Sequence, residues 1–177
     1  MEKYYTGIGS RQTPKNICSY MEVLGSYFAK QGYILRSGHA EAADESFENG
    51  CDRVGGEKEI YLPWKNFRDS NSKLVVIDKK AFDIAKKFHP FWHSLKPQTK
   101  NLHARNSHQI LGINLDTPSE FVLCWTKNGS GSGGTGQALR IANEYNIPIF
   151  DLGTYGEDIC IIKKEIKLFF NQINLFL

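Results

Sequence analysis

The chain has 177 residues, 41% of them hydrophobic and 23% charged, which is the balance of one soluble α/β-sized domain with enough apolar residues to bury its own core. A net charge of +3, read as spread along the sequence, excludes neither anionic small ligands nor nucleic acid and supports the latter only weakly. Cys18, Cys51, Cys124 and Cys160 lack the paired spacing of zinc or thioredoxin-like motifs, so they read as reduced thiols, with no metal and no cofactor expected. No leader pattern opens the chain and no apolar run approaches the ~20 residues of a membrane span, giving a cytoplasmic, non-membrane expectation.

Taken in order, "YYTGIGS" reads as a strand running into two glycines. Thr13-Pro14 offers an N-cap and a first-turn proline for a helix marked by Ile17, Tyr20, Met21, Leu24 and Phe28 and stopped at Gly32. "YILRSG" repeats the arrangement, followed by a helix with Ala40, Ala43, Phe47 and Cys51 on its inner face and Gly50 as its expected end. "EIYLPW" and "KLVVID" are apolar runs of strand length separated by a polar loop. Helical patterns follow over 81–88, ended by Pro90, and over 99–111 after Pro97.

"EFVLCW" is a strand leading into "NGSGSGGTGQALRIA", a glycine-rich loop that opens a helix running to about Tyr145; "IPIFDL" is another strand. A final helix carries an apolar stripe of Ile159, Ile162, Ile166, Phe169, Phe170, Ile173 and Phe176. Strands alternating with amphipathic helices predict a single Rossmann-like α/β domain, mostly parallel, with helices on both faces.

Three strand-to-helix junctions carry glycine beside small polar residues: Gly7-Ile8-Gly9-Ser10, Ser37-Gly38, and Gly129 to Gly136. In an open parallel sheet all three fall beyond the carboxyl ends of the strands, where ligands bind. Backbone amides at a helix N-terminus can meet anionic oxygens only where no side chain blocks them, and the helix dipole adds attraction. Ser10, Ser37 and Thr135 supply hydroxyls there, and Arg11 and Arg36 stand next to two of the loops, placed for phosphate or for a solvated surface alike. The third loop also satisfies G-x-G-x-x-G, with Asp151 twenty residues beyond Gly131, but the 26 residues after Asp151 are too few to complete a dinucleotide domain begun at this strand. A P-loop is excluded because Gly134 is followed by Thr135 and no lysine.

The ordered set "YTGIGSR", "LRSGHAEAADESFENG", "EIYLPW", "ARNSHQILG" and "SGGTGQALRIA" resembles the SLOG superfamily, which includes DprA/Smf and the LONELY GUY-type nucleotide phosphoribohydrolases. The likeness is closest to small DprA-like proteins typical of bacteriophages and spans Tyr4 to about Leu152. It implies a Rossmann-like fold binding a nucleotide or nucleotide derivative. The family's SGGA-x-G-x-D segment stands here as Ser37 to Asp44, with His39 and Ala42 where two glycines are usual. His39 itself becomes a candidate contact, or the pocket narrows.

The phosphoribohydrolase loop P-G-G-x-G-T-x-x-E matches Ser132, Gly133, Gly134, Thr135, Gly136, Gln137, Ala138, Leu139 and Arg140, so the catalytic glutamate is replaced by Arg140. Its arginine-lysine pair reads Arg105-Asn106. Activating water against an N-glycosidic bond suits a carboxylate; Asp44 or Glu41 would have to substitute for that glutamate, and Arg105 and Asp44 are the candidate catalytic residues.

His89 and His93 lie four apart, but Pro90 between them points to a loop with aromatic packing rather than a metal pair. His103 and Arg105 face either the crevice or solvent, and Trp125, like Trp64, either stacks on a base or packs in the core. The leading expectation is a binder of a nucleotide-derived signal, ADP-ribose-like or cyclic, acting as a phage-type sensor or sponge. A phosphoribohydrolase and a single-stranded DNA-binding protein are the alternatives, and a homodimer or higher homo-oligomer is expected.

Overall fold

Alternation along β1 (Lys3–Gly9) assigns each residue to a face. Tyr5, Gly7 and Gly9 point one way, against Phe47, Leu35 and Ala43, while Thr6 and Ile8 point the other. In the computed structural model, which describes residues 2–75 and 78–175, β1 is the central strand of a six-stranded sheet whose pairings are all parallel. The others are β2 (Tyr33–Ser37), β3 (Lys58–Leu62), β4 (Leu74–Val75), β5 (Phe121–Trp125) and β6 (Ile149–Asp151), in the spatial order β4-β3-β2-β1-β5-β6.

Helices α1 (Lys15–Lys30), α2 (Ala43–Asp52) and α6 (Ile159–Gln172) cover one face, where Tyr5, Phe28, Phe47, Phe121 and Phe170 form an aromatic-rich core. Helices α3 (Lys79–Lys87), α4 (Pro97–Leu111) and α5 (Gly133–Glu144) cover the other, packing on Ile8, Val122 and Cys124. The expected single Rossmann-like α/β domain is what is observed. No helix among the described residues is long and apolar enough to cross a membrane.

Several boundaries differ from the sequence reading for physical reasons. Gly50 does not stop α2: a Cβ there would overlap the Glu22 carbonyl of α1, and a Cβ at Gly25 would lie 2.5 Å from the Phe47 carbonyl, so this glycine pair lets two helices cross closely. Thr13 does not cap α1; its hydroxyl donates to the Ser10 carbonyl at 2.6 Å, and Pro14 takes the cap position. β3 ends at Leu62, before Pro63, which has no amide hydrogen to continue the ladder. Of "KLVVID", Leu74–Val75 is strand among the described residues; Val76, Ile77 and Phe176 lie outside them.

The chain runs outward from β1 through β2, β3 and β4, then returns to β5 on the opposite side of β1. The strand order therefore reverses between β1 and β5, and connections leaving their carboxyl ends diverge and open a crevice. Ser10 follows β1 and donates its amide to the Trp125 carbonyl at 3.0 Å, so the two strand ends form the crevice floor.

Candidate functional site

The cavity at this reversal has a volume of about 530 Å³, within the range of small-molecule sites. Its floor is Ile8, Gly9 and Ser10; Arg11 and Gln12 close one end, Ala40 and Asp44 form a wall, and α4 presents Thr99, Leu102, His103, Arg105, Asn106 and Gln109. Opposite stand Thr126 and Lys127 and the start of α5, Ser132 to Thr135. Of the sequence candidates, Gly9, Ser10, Arg11, Asp44, Arg105, Gly133, Gly134 and Thr135 are brought together here.

The α5 end of the cavity is a helix N-terminus without a side-chain cap: Ser132 occupies the cap position and accepts no hydrogen bond from the first turn through its side chain. Free amide hydrogens and the positive end of the dipole face the cavity, a ready anion site. Gly131 and Gly133 hold positive φ of 59° and 68°, conformations that would strain other residues. The loop before them is anchored by Asp151, which accepts from the Thr126 amide at 2.9 Å and the Gly153 amide at 3.0 Å and from the Thr126 hydroxyl. That hydroxyl in turn accepts from the Gly131 amide at 2.9 Å. Asp151 is spent on holding the loop, which removes it as a ribose ligand of a dinucleotide fingerprint.

Arg105 is 5% exposed, and its Nε has no hydrogen-bond partner. One Nη donates to the Gly38 carbonyl and stands 3.9 Å from Asp44. Burial lowers its pKa, with nearby Arg11 adding to the effect and Asp44 opposing it. Arg105 lines the cavity, and its guanidinium keeps one buried N–H without a partner, a donor still to be matched by an acceptor brought against it. Asp44 accepts from the Gly9 amide at 3.1 Å and Gln109 at 3.4 Å, and burial raises its pKa against the pull of Arg105 and these donors. Its oxygens fasten the β1 loop to α2.

His103 lines the cavity with its pKa pushed down to about 4 by burial and by the positive charge of His89, Arg140 and Arg105 around it, so it is neutral near pH 7. Its Nδ1 lies 3.4 Å from Gln137 Oε1, which also accepts from Asn106 at 3.0 Å; Asn106 reaches the Gly134 carbonyl at 3.1 Å as well. This cluster joins α4 to the first turns of α5. The cationic side chains of the lining, Arg11, Arg105 and Lys127, outnumber its single carboxylate.

Other candidates are placed elsewhere. Arg36 is 2% exposed and pairs with Glu59 at 2.7 Å, donates to the Thr117 carbonyl and stacks 3.7 Å over Tyr4, pointing toward the C-terminal end of α4 and away from the crevice. Ser37 donates to the Gly7 carbonyl at 2.6 Å, and Gly7 is needed because a Cβ would lie 2.6 Å from Phe47. Gly38 makes room for Arg105, while His39 turns to Glu48 at 2.8 Å and does not line the cavity. Trp125 packs in the α1/α2/α6 core because it alternates with Cys124 on β5, so its indole has no access to a ligand in the crevice.

Gly136 gives close approach to the Gly131 carbonyl, and Gln137, on α5 itself, is fully buried against His103 and Asn106 of α4. Arg140 donates to the Phe88 carbonyl at 2.8 Å outside the cavity lining. His89 contacts His103 with ring centroids 4.4 Å apart, and no cluster of three metal-ligating side chains occurs among the described residues. Sequence reasoning did not single out Gln12, Ala40, Thr99, Leu102, Gln109, Thr126 and Lys127 as site residues: Ala40 and Gln109 stand inside segments that carry the resemblance, and the others reach the site only through the fold. It also missed how uneven the charge is: residues 78–100 hold six lysines against two aspartates, leaving the rest of the chain close to neutral.

No protein-family model matches the chain, and no curated protein matches it. Among solved structures it is similar to the Moco carrier protein of Chlamydomonas rheinhardtii, with a TM-score of 0.55 and 16% identity, covering 86% of this chain and 77% of that one. At that identity the likeness concerns the fold.

Proposed function

We propose that the crevice binds a nucleotide or nucleotide-derived signal, such as an ADP-ribose derivative or a cyclic nucleotide, and that the protein acts as a sensor or sponge of the SLOG type. The observation that carries this is the meeting, in one cavity, of the uncapped α5 N-terminus and the unpartnered Nε of buried Arg105. Both are donors prepared for an anion, and they come from different elements. Arg11 and Lys127 add positive charge at the mouth. The similarity to a Moco carrier protein is compatible with a small-molecule ligand and puts Moco on the list of ligands to try.

Turnover has less support. Arg140 replaces the glutamate of the phosphoribohydrolases and is engaged by Phe88, and Asp44, the one carboxylate in the lining, is committed to Gly9 and Gln109. A thermal-shift panel of AMP, ADP-ribose, NAD, cyclic nucleotides and Moco tests binding, because a ligand that binds only the native state raises the melting temperature at saturation. No shift with any of them rejects the reading. Release of free base from a nucleoside monophosphate at high protein concentration would instead establish the phosphoribohydrolase.

One observation favours a single-stranded DNA reading, the lysine concentration in residues 78–100 with Phe91 exposed at its centre. Retardation of single-stranded DNA that weakens steeply with salt would support it. A homodimer through the exposed Ile161 and Leu168 of α6 is the oligomer we propose, to be read by light scattering.

A further inference from the structure

The wall of the crevice between β2 and α2 is built in an unfavourable backbone conformation. His39 has φ 57° and Ala42 has φ 66° with ψ −99°, although neither is glycine. For Ala42 this lies outside the small left-handed region open to L-residues, so the conformation persists only if its surroundings hold it. Ala40 and Asp44, on either side of Ala42, are cavity-lining residues. The strained stretch therefore sets the position of one wall.

The wall's carbonyls are gripped from outside. Arg105 of α4 takes the Gly38 carbonyl, and Arg68, in the loop after β3, donates to the next one, His39, at 3.0 Å. The Arg68 guanidinium also stands 3.7 Å from Glu41 and 3.5 Å from Glu45, so it touches the stretch on both sides of Ala42. Arg68 is itself left-handed, with φ 48° and ψ 42°. Two exposed ion pairs alone would count for little; a carbonyl bond and two carboxylates converging on one guanidinium make a clasp.

We propose that Arg68 is a positioning residue for the ligand of the crevice: it holds the Gly38–Ala42 wall in its binding shape against backbone strain, without touching the ligand. The inference rests on the nucleotide reading above. Among the described residues, Arg105 is the one other side chain from outside α2 that bonds a Gly38–Ala42 carbonyl, and in that reading it also serves the ligand, which leaves Arg68 as the fixed one. If release lets the wall hold its binding shape only about a tenth of the time, the apparent Kd rises about tenfold, because affinity scales with the competent fraction.

The test uses Arg68→Asn, since asparagine accepts the left-handed backbone while losing the guanidinium. Titrations with ADP-ribose and AMP by calorimetry are paired with hydrogen exchange of the ligand-free proteins. The amides of Glu45 and Ser46, whose bonds end on the Ala40 and Ala42 carbonyls, report the wall. Expected are faster exchange at these two amides, a roughly tenfold weaker Kd, and recovery of most of that loss on adding Ala42→Gly, which makes the same φ and ψ easy. A merely structural arginine would lower the melting temperature with no such rescue. Unchanged exchange at Glu45 and Ser46 overturns the clasp, as does unchanged affinity in Arg68→Asn when the wild type binds. If the wild type binds neither probe, the nucleotide reading falls, and with it the ligand-positioning role of Arg68, while the exchange result still decides whether the clasp exists.

Discussion

Two arginines that look alike in the sequence do different work. Arg36 and Arg105 are both almost fully buried, but Arg36 is held by Glu59, the Thr117 carbonyl and the Tyr4 ring away from the crevice, whereas Arg105 lines the cavity and has an unpartnered Nε. Replacing Arg36 with alanine strands Glu59 and is expected to cost about 3 kcal/mol in urea unfolding while leaving nucleotide affinity in the surviving native protein unchanged. Arg105→Met keeps most of the buried volume and removes the donor, and is expected to lower affinity at least tenfold, the scale of one lost charged hydrogen bond of about 1.5–3 kcal/mol. Calorimetry on both variants separates them; equal losses of affinity would mean that the buried guanidiniums were assigned to the wrong tasks. Adjacency to a glycine loop could not tell the two apart in the sequence. On β2, alternation sends Arg36 to the α4 side at a position whose neighbours, Glu59 and Thr117, are distant along the chain.

At the scale of elements, the strand-loop-helix units were legible because the apolar period marks each one, even where punctuation misplaced an end, as it did at Thr13 and Gly50. Ile17, Met21, Leu24 and Phe28 mark the buried face of α1, and Phe121 to Trp125 is apolar throughout, as a strand covered on both faces must be. The glycines were legible as junctions but not by role: Gly7 serves Phe47, Gly38 serves Arg105, Gly50 serves a helix crossing, and only the α5 group opens freely to the cavity. That difference depends on which side chain arrives from another element. Gly134 makes a sharp test, since a Cβ there meets nothing within 4 Å and its φ is not positive. Gly134→Ala is expected to stabilise the protein by about 0.5 kcal/mol through helix propensity, raising the midpoint of urea unfolding, yet to weaken nucleotide binding because the new methyl stands among the free amides. Affinity that rises or stays level together with stability would remove the α5 amides from the site.

The whole molecule sets what the site can feel. The order of the sheet decides that three loops and two helices far apart in sequence face one cavity, and the sequence pattern alone predicted that edge; the walls contributed by Thr99, Leu102 and Gln109 depend on how α4 lies over the sheet. The same assembly fixes the response to acid. His103 is surrounded from three elements, by Arg105 on its own helix, Arg140 and Gln137 on α5, and His89 in the loop after α3, and its folded pKa of about 4 lies below the ~6.5 of an unfolded histidine. Between these values the unfolded chain binds the proton and the folded chain does not, so this group's contribution to stability is complete above about pH 6.5 and is lost as the pH falls toward 4. His89 and His108, also lowered by burial, act in the same direction. Asp44, raised by burial, acts in the opposite one, giving stability in acid that is lost as the pH rises through its folded value. The urea midpoint of the wild type is therefore expected to drop from pH 6.5 to 4, and His103→Gln, which keeps a neutral hydrogen-bonding side chain and titrates in neither state, is expected to make that drop shallower. A bound phosphate adjoining His103 would favour the imidazolium, so saturating ADP-ribose should shrink the wild-type acid loss and leave that of His103→Gln less affected. Parallel curves for wild type and variant, with and without ligand, would show that His103 is neither buried against these cations nor next to the anion.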